Sequence, residues 1–221
     1  MTAKDTKTKI LDTAEMLFGK NGIASTSLRN IIAEAGVNIA AIHYHFGSKK
    51  ELITEVFARR IQPLNDARLQ LLDELELHAK GDPLGVEKIV HAFLEPVFNI
   101  PFAQKKHFER IKCLMGKVHM EPAEVEHLDS LFKNILERFM AAFKKALPNI
   151  PPVEIQWRIN FMLGVMSMAM FKDHIIQKRM EALYGKTNSE ELFSRTVQFI
   201  SAGFKAPATE LTLQKTGIEN E

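Results

Sequence analysis

The run Ile42-His43-Tyr44-His45-Phe46-Gly47-Ser48-Lys49-Lys50 gathers side chains able to do chemistry. Two imidazoles and a phenol can ligate a metal, move a proton or bond a phosphate oxygen. Residues two apart on a helix diverge by about 200°, so His43 and His45 cannot grip one ion from a helix. No Asp or Glu lies between residues 35 and 50 to complete a metal site. Neither a metal nor any other cofactor is therefore expected. Elsewhere the chain has no Walker loop, no G-x-S-x-G and no H-E-x-x-H, and no enzyme is expected. The pairs Glu124/Glu126 and Glu190/Glu191 sit in polar runs. Cys113, the single cysteine, lies near Arg110, Lys112 and Lys117 and is either an inert core thiol or a redox sensor. Phosphate contact is the third chemistry open to the His43–Tyr44 group.

The elements that must position this group are helices throughout. Ile10, Leu11, Ala14, Leu17 and Phe18 recur at helical spacing, and "KNG" ends that helix with Gly22 available for a left-handed cap. "STS" offers capping hydroxyls to a second helix with Leu28, Ile31, Ile32 and Ala35 on one face, closed by Gly36. A third short helix runs from Asn38 to about His45. Ser48 and Glu51 form a capping box that opens a long fourth helix toward residue 78. Further helices are expected at 84–98, 103–118, 122–147, 152–184 and 188–205, separated by proline and glycine breaks. No segment alternates with period two, so the fold class is all-α. The expected domains are a helix-turn-helix domain over 1–47, a second helical domain over 48–206 and a flexible tail over 207–221.

In a helix-turn-helix the second helix of the pair enters the DNA major groove. On a helical wheel Ile42 and Phe46 face the core, with Ala40 and Tyr44 nearly opposite and Ala41 and His43 on the flanks. Two outward alanines suit close approach to a base edge or a thymine methyl. Ile39 falls nearer the core face than the groove. Charge is consistent with a polyanion partner: residues 1–60 carry 9 Lys+Arg against 6 Asp+Glu, and the remainder 20 against 21. The 46% hydrophobic and 25% charged composition fits a folded globular chain. The lone cysteine, the absence of an apolar N-terminal h-region and a longest uncharged run in the C-terminal half of only residues 159–171 point to a cytoplasmic protein with no membrane partner.

The segments "ILDTAEMLFGKNG", "TSLRNIIAEAGV" and "YHFGSKKEL" within residues 6–57 resemble the DNA-binding domain of the TetR-type transcriptional regulators, in the branch with a YHFGSK motif. The commonest family pattern has tyrosine directly after the buried aliphatic residue, where this chain has His43, with Tyr44 one position later. The resemblance implies a homodimeric, all-helical repressor that binds a double-stranded DNA operator and leaves it when a small molecule enters the C-terminal domain. By matching position, Thr26, Ser27 and Arg29 resemble contacts of the second helix. Asn38, Ile39, Ala40 and Ala41 resemble the groove-reading start of the third, and His43, Tyr44, His45 and Lys49 the phosphate-side group. Direct base hydrogen bonding then falls chiefly to Arg29 and Asn38. Thr26 and Ser27 are equally readable as caps, His45 as a packing residue and Lys50 as a solvated lysine. An adaptor that keeps the fold without binding DNA is the competing reading.

Beyond residue 57 the resemblance fades and periodicity carries the argument. The 152–184 helix has one apolar stripe through Trp157, Phe161, Gly164, Val165, Met168, Phe171 and Ile175, and a second through Ile155, Ile159, Met162, Met166 and Met170. The last helix has Phe193, Val197, Ile200 and Phe204 on one side and Leu192, Phe199 and Gly203 on another. A helix apolar on two sides needs two partners. The expected dimer interface is Met162, Met166, Met170, Leu192, Phe199 and Gly203, in a four-helix bundle with a second copy. The expected effector pocket, for a largely apolar ligand, is lined by Phe93, Phe98, Phe102, Phe108, Met115, His119, Trp157 and Phe161. The long fourth helix would link that pocket to the reading heads.

Overall fold

The computed structural model describes residues 3–99, 122–170, 175–186 and 188–209. Its regular elements, among the described residues, are all helical: α1 (Ala3–Asn21), α2 (Leu28–Ala35), α3 (Ile39–Phe46), α4 (Lys49–Ala79), α5 (Val86–Phe98), α6 (Pro122–Val125), a 3-10 turn (Glu126–Leu128), α7 (Asp129–Ala146), α8 (Pro152–Met170), α9 (Ile175–Tyr184) and α10 (Ser189–Lys205). The all-α expectation holds. The helix expected at 103–118 lies outside the described residues. No described helix is long and apolar enough to cross a membrane.

These residues form two compact units. One runs through Leu64 and resumes from Pro122 to Lys133; the other holds Asn65–Asn99 and the described residues from Asn134 on. In the first, Ile10, Ala14 and Phe18 of α1, Ile31 of α2, and Ile42 and Phe46 of α3 are buried. Three short helices cannot enclose an apolar core alone, and this one continues past residue 47 through Leu52, Ile53, Val56, Phe57 and Ile61, joined by Val125 and Leu128. Gly22, at φ +92°, ends α1, with its N–H donating to the Phe18 carbonyl at 3.0 Å. Glu15, buried on α1, holds Arg59 and Arg60 of α4, while Arg59 also pairs with Asp12 at 2.8 Å.

In the second unit α10 packs against α5 and α8. Its core includes Ile89, Val90, Phe93, Phe139, Phe143, Ile155, Ile159, Ile200 and Phe204. Phe143 and Phe204 stack at 4.1 Å, and Phe93 meets Phe139 edge-on at 5.0 Å. Buried Arg158 pairs with Glu154 and donates to the Phe204 carbonyl at 2.7 Å and the Pro207 carbonyl at 3.1 Å, satisfying the end of α10. Arg138 bridges Asp73 and Glu76.

Candidate nucleic-acid interface

The turn between α2 and α3 is built from chemistry local to it. Ser27 caps α2: its Oγ accepts from the Asn30 N–H at 3.2 Å, and Asn30 Oδ1 accepts from the Ser27 N–H at 3.0 Å. Gly36, at φ +60°, closes α2, with the Val37 N–H donating to the Ile32 carbonyl at 3.3 Å. Asn38 then caps α3, its Oδ1 accepting from the Ala41 N–H at 2.9 Å.

Buried Ile42 and Phe46 fix the rotation of α3 and leave Ile39, Ala40, His43 and Tyr44 exposed. Tyr44 is 80% exposed, its ring edge-on to His45 at 5.0 Å. His43 Nδ1 lies 3.1 Å from the Gly47 carbonyl, which orients the imidazole. His45 is half-buried between Tyr44 and Phe46. Arg29 is exposed on α2, and Ala41 is half-buried. An exposed helix face of small and aromatic residues, rigidly oriented from beneath, is suited to a groove.

Several side chains are placed differently from their expected roles. Ile39 is 57% exposed: as the first residue of α3 it lies beyond the reach of the core that Ile42 and Phe46 enter. Thr26 is fully buried and donates its hydroxyl to the Gly22 carbonyl at 2.7 Å, so its side chain neither caps α2 nor meets a partner. Asn38 commits Oδ1 to its cap, which leaves its Nδ2 donors for a base. Lys49 Nζ donates to the Ile23 carbonyl at 2.8 Å and lies 3.7 Å from Glu124; its charge is engaged within the protein. Sequence reasoning missed Lys9, whose Nζ would stand 3.8 Å from a Cβ built on Gly36, beside the turn. No local pattern relates α1 to that turn.

The C-terminal candidates divide. Phe93 is core, and Phe98 is half-buried against Phe193 at 5.3 Å. Trp157 and Phe161, expected in a pocket, are 55% and 62% exposed and stack on each other at 6.0 Å. Met162, expected at a dimer interface, is 1% exposed within the core of the single chain. Met166 is half-buried, its sulfur 3.6 Å from Arg68 Nη2, and Leu192 is half-buried. Phe199 and Gly203 are exposed on α10. The two stripes of α8 are thus exchanged: the methionine stripe turns inward and the Trp157 stripe outward. Phe102, Phe108, Met115, His119 and the Met170 side chain lie outside the described residues.

Comparison with known proteins agrees with this geometry. The chain is 41% identical over 93 residues to the HTH-type transcriptional regulator AcrR of Shigella flexneri, covering 40% of each chain. It is 34% identical over 97 residues to TtgR, an HTH-type transcriptional regulator of Pseudomonas putida, covering 44% of this chain and 43% of that one. The match thus spans about two-fifths of the length of these relatives. A crystal structure of a transcriptional regulator (TerR/AcrR family) from Aquifex aeolicus shares the fold, with a TM-score of 0.53 at 19% identity over 89% of this chain and 98% of that one. Residues 10–56 match the tetR family of bacterial regulatory proteins, and residues 91–203 match the tetracyclin repressor-like C-terminal domain, so the likeness does not end at residue 57. The chain therefore belongs to the TetR family, a family of transcriptional regulators and not of enzymes.

Proposed function

We propose that this protein is a cytoplasmic, homodimeric repressor, of the branch carrying YHFGSK, that binds a palindromic operator through α2 and α3 and is released by a small-molecule effector. The observation that carries the DNA reading is the exposed Ile39–Ala40–His43–Tyr44 face of α3, oriented by buried Ile42 and Phe46. Ile39 and Ala40 would approach thymine methyls, Arg29 and the Asn38 amide would donate to base edges, and Ser27, His43 and Tyr44 would meet phosphates. His45 sits at the edge of that group, and Lys49 would shape the surface by holding the Ile23 carbonyl.

Dimerisation is supported by the outward stripe of Val153, Trp157, Phe161 and Met168 on α8, beside exposed Phe199 on the adjoining α10. Exposed Gly164 and Gly203 leave room for close helix approach. Two copies are also what a short reading helix needs, because half-sites of a palindrome lie about 34–36 Å apart. Effector response is supported by the tetracyclin repressor-like description of the matching C-terminal domain. Selection of bound fragments from random and genomic DNA tests the reading. The expected product is a palindrome with half-sites one helical turn or a multiple apart; failure to enrich any fragment would count for the adaptor.

A further inference from the structure

Among the described residues, the core of the second unit holds a cation with no anion beside it. Arg68, on α4, is buried, and each of its nitrogens meets a neutral group. Nε donates to the Phe93 carbonyl at 2.8 Å, Nη1 to Asn65 Oδ1 at 3.0 Å, and Nη2 to the Met166 sulfur at 3.6 Å. The guanidinium also lies 4.1 Å from the centre of the Phe93 ring. Other shielded arginines here have carboxylates: Arg158 has Glu154, and Arg59 and Arg60 share Glu15. Burial pushes the Arg68 pKa down to about 10, which still leaves a full charge at neutral pH. Neutral acceptors and an aromatic face offset only part of the cost of burying such a charge.

The weakest of these contacts is also the most movable. A thioether is a poor acceptor, and half-buried Met166 has an unbranched side chain that can turn aside. Nη1 and Nη2 each carry a second N–H with no acceptor among the described residues. The two Nη groups of a guanidinium form a planar fork that can bind a carboxylate through two parallel hydrogen bonds once a weak acceptor moves away. One cation balances one negative charge, which favours a carboxylate over a doubly charged phosphate.

We propose that Arg68 anchors the carboxylate of an otherwise apolar effector, which replaces the Met166 sulfur at Nη2. This rests on the effector-responsive reading above. The test uses the full chain, with dodecanoate, dodecanol and dodecyltrimethylammonium as probes below their micellar concentrations. Calorimetry and thermal shift measure binding, and anisotropy measures release of the selected DNA. Dodecanoate is expected to bind roughly 10- to 100-fold more tightly than dodecanol, the worth of a charge-assisted hydrogen bond. Arg68→Met should abolish that preference, and Met166→Ala should retain or strengthen it. Should Arg68→Met fail to fold, the three-probe comparison and Met166→Ala decide. Equal binding of alcohol and carboxylate, binding of none of the three, or a preference that survives Arg68→Met overturns the proposal and leaves Arg68 a strut between α4 and α5. Release of DNA by the ammonium alone overturns the anion site while sparing effector response. Binding of dodecanoate through Arg68 without release of DNA upholds the site and defeats effector response.

Discussion

Asn38 and Lys49 show how a side chain's existing bonds limit what else it can do. The Asn38 oxygen already serves the Ala41 N–H, and the Lys49 ammonium already serves the Ile23 carbonyl. Arg29 has neither restriction on the exposed side of α2. Arg29→Ala should therefore weaken operator binding by about 1–3 kcal/mol and relax specificity at the base it meets. Lys49→Ala should lower the thermal midpoint and leave the slope of log affinity against log salt nearly unchanged; a slope reduced by about 1 would return Lys49 to the phosphate-contacting group. Ala40 lies exposed on the same helix as Asn38's cap, and only its small size permits close approach. Ala40→Leu should weaken operator binding by about 1–3 kcal/mol while shifting stability by no more than about 0.5 kcal/mol. Parallel anisotropy titrations and urea melts would separate the two effects.

At the scale of elements, the reading helix depends on what lies beneath it. Ile42 is fully buried, and its side chain sets the rotation that exposes Ala40 and Tyr44. The four-helix core below it is tied by charge as well as by apolar packing. Glu15 has no solvent exposure and holds two guanidiniums that keep about a fifth of their side-chain surface in water. Glu15→Gln keeps the shape but removes the charge that both arginines need. The expected loss is roughly 3 kcal/mol, the low end for breaking a buried pair because the arginines remain partly hydrated. Chemical denaturation measures it, and a loss below about 1 kcal/mol would mean that Asp12 and solvent suffice for Arg59 and Arg60.

For the whole molecule, the proposed assembly rests on an apolar surface that the single chain leaves uncovered. Trp157, Phe161, Met168 and Phe199 are each more than half exposed. Large aromatic anchors at the centre of an interface dominate its energy, and a charge placed there without a partner is strongly unfavourable. Trp157→Glu and Phe161→Glu should each shift the protein to monomer in sedimentation at micromolar concentration, with the fold retained by circular dichroism. Operator affinity should fall with the dimer. Met162→Ala should instead lower stability by about 2–5 kcal/mol without changing the oligomeric state, because Met162 lies within the core of the single chain.

Local order determined much of this protein. The caps at Ser27 and Asn38, the turn at Gly36 and the inward pair Ile42 and Phe46 follow from neighbouring residues, so the helix-turn-helix was legible without coordinates. The family likeness of residues 10–56 was legible for the same reason. Tertiary structure decided matters in which periodicity is degenerate. Both stripes of α8 are apolar at helical spacing, so a wheel cannot say which meets the core; only the packing of α8 against α10 turns Met162 inward and Trp157 outward. Thr26 and Lys49 likewise depended on carbonyls supplied by other turns of the chain. The charge on Arg68 was visible in the sequence, but its seat among neutral groups of the described residues exists only once α4, α5 and α8 have closed around it.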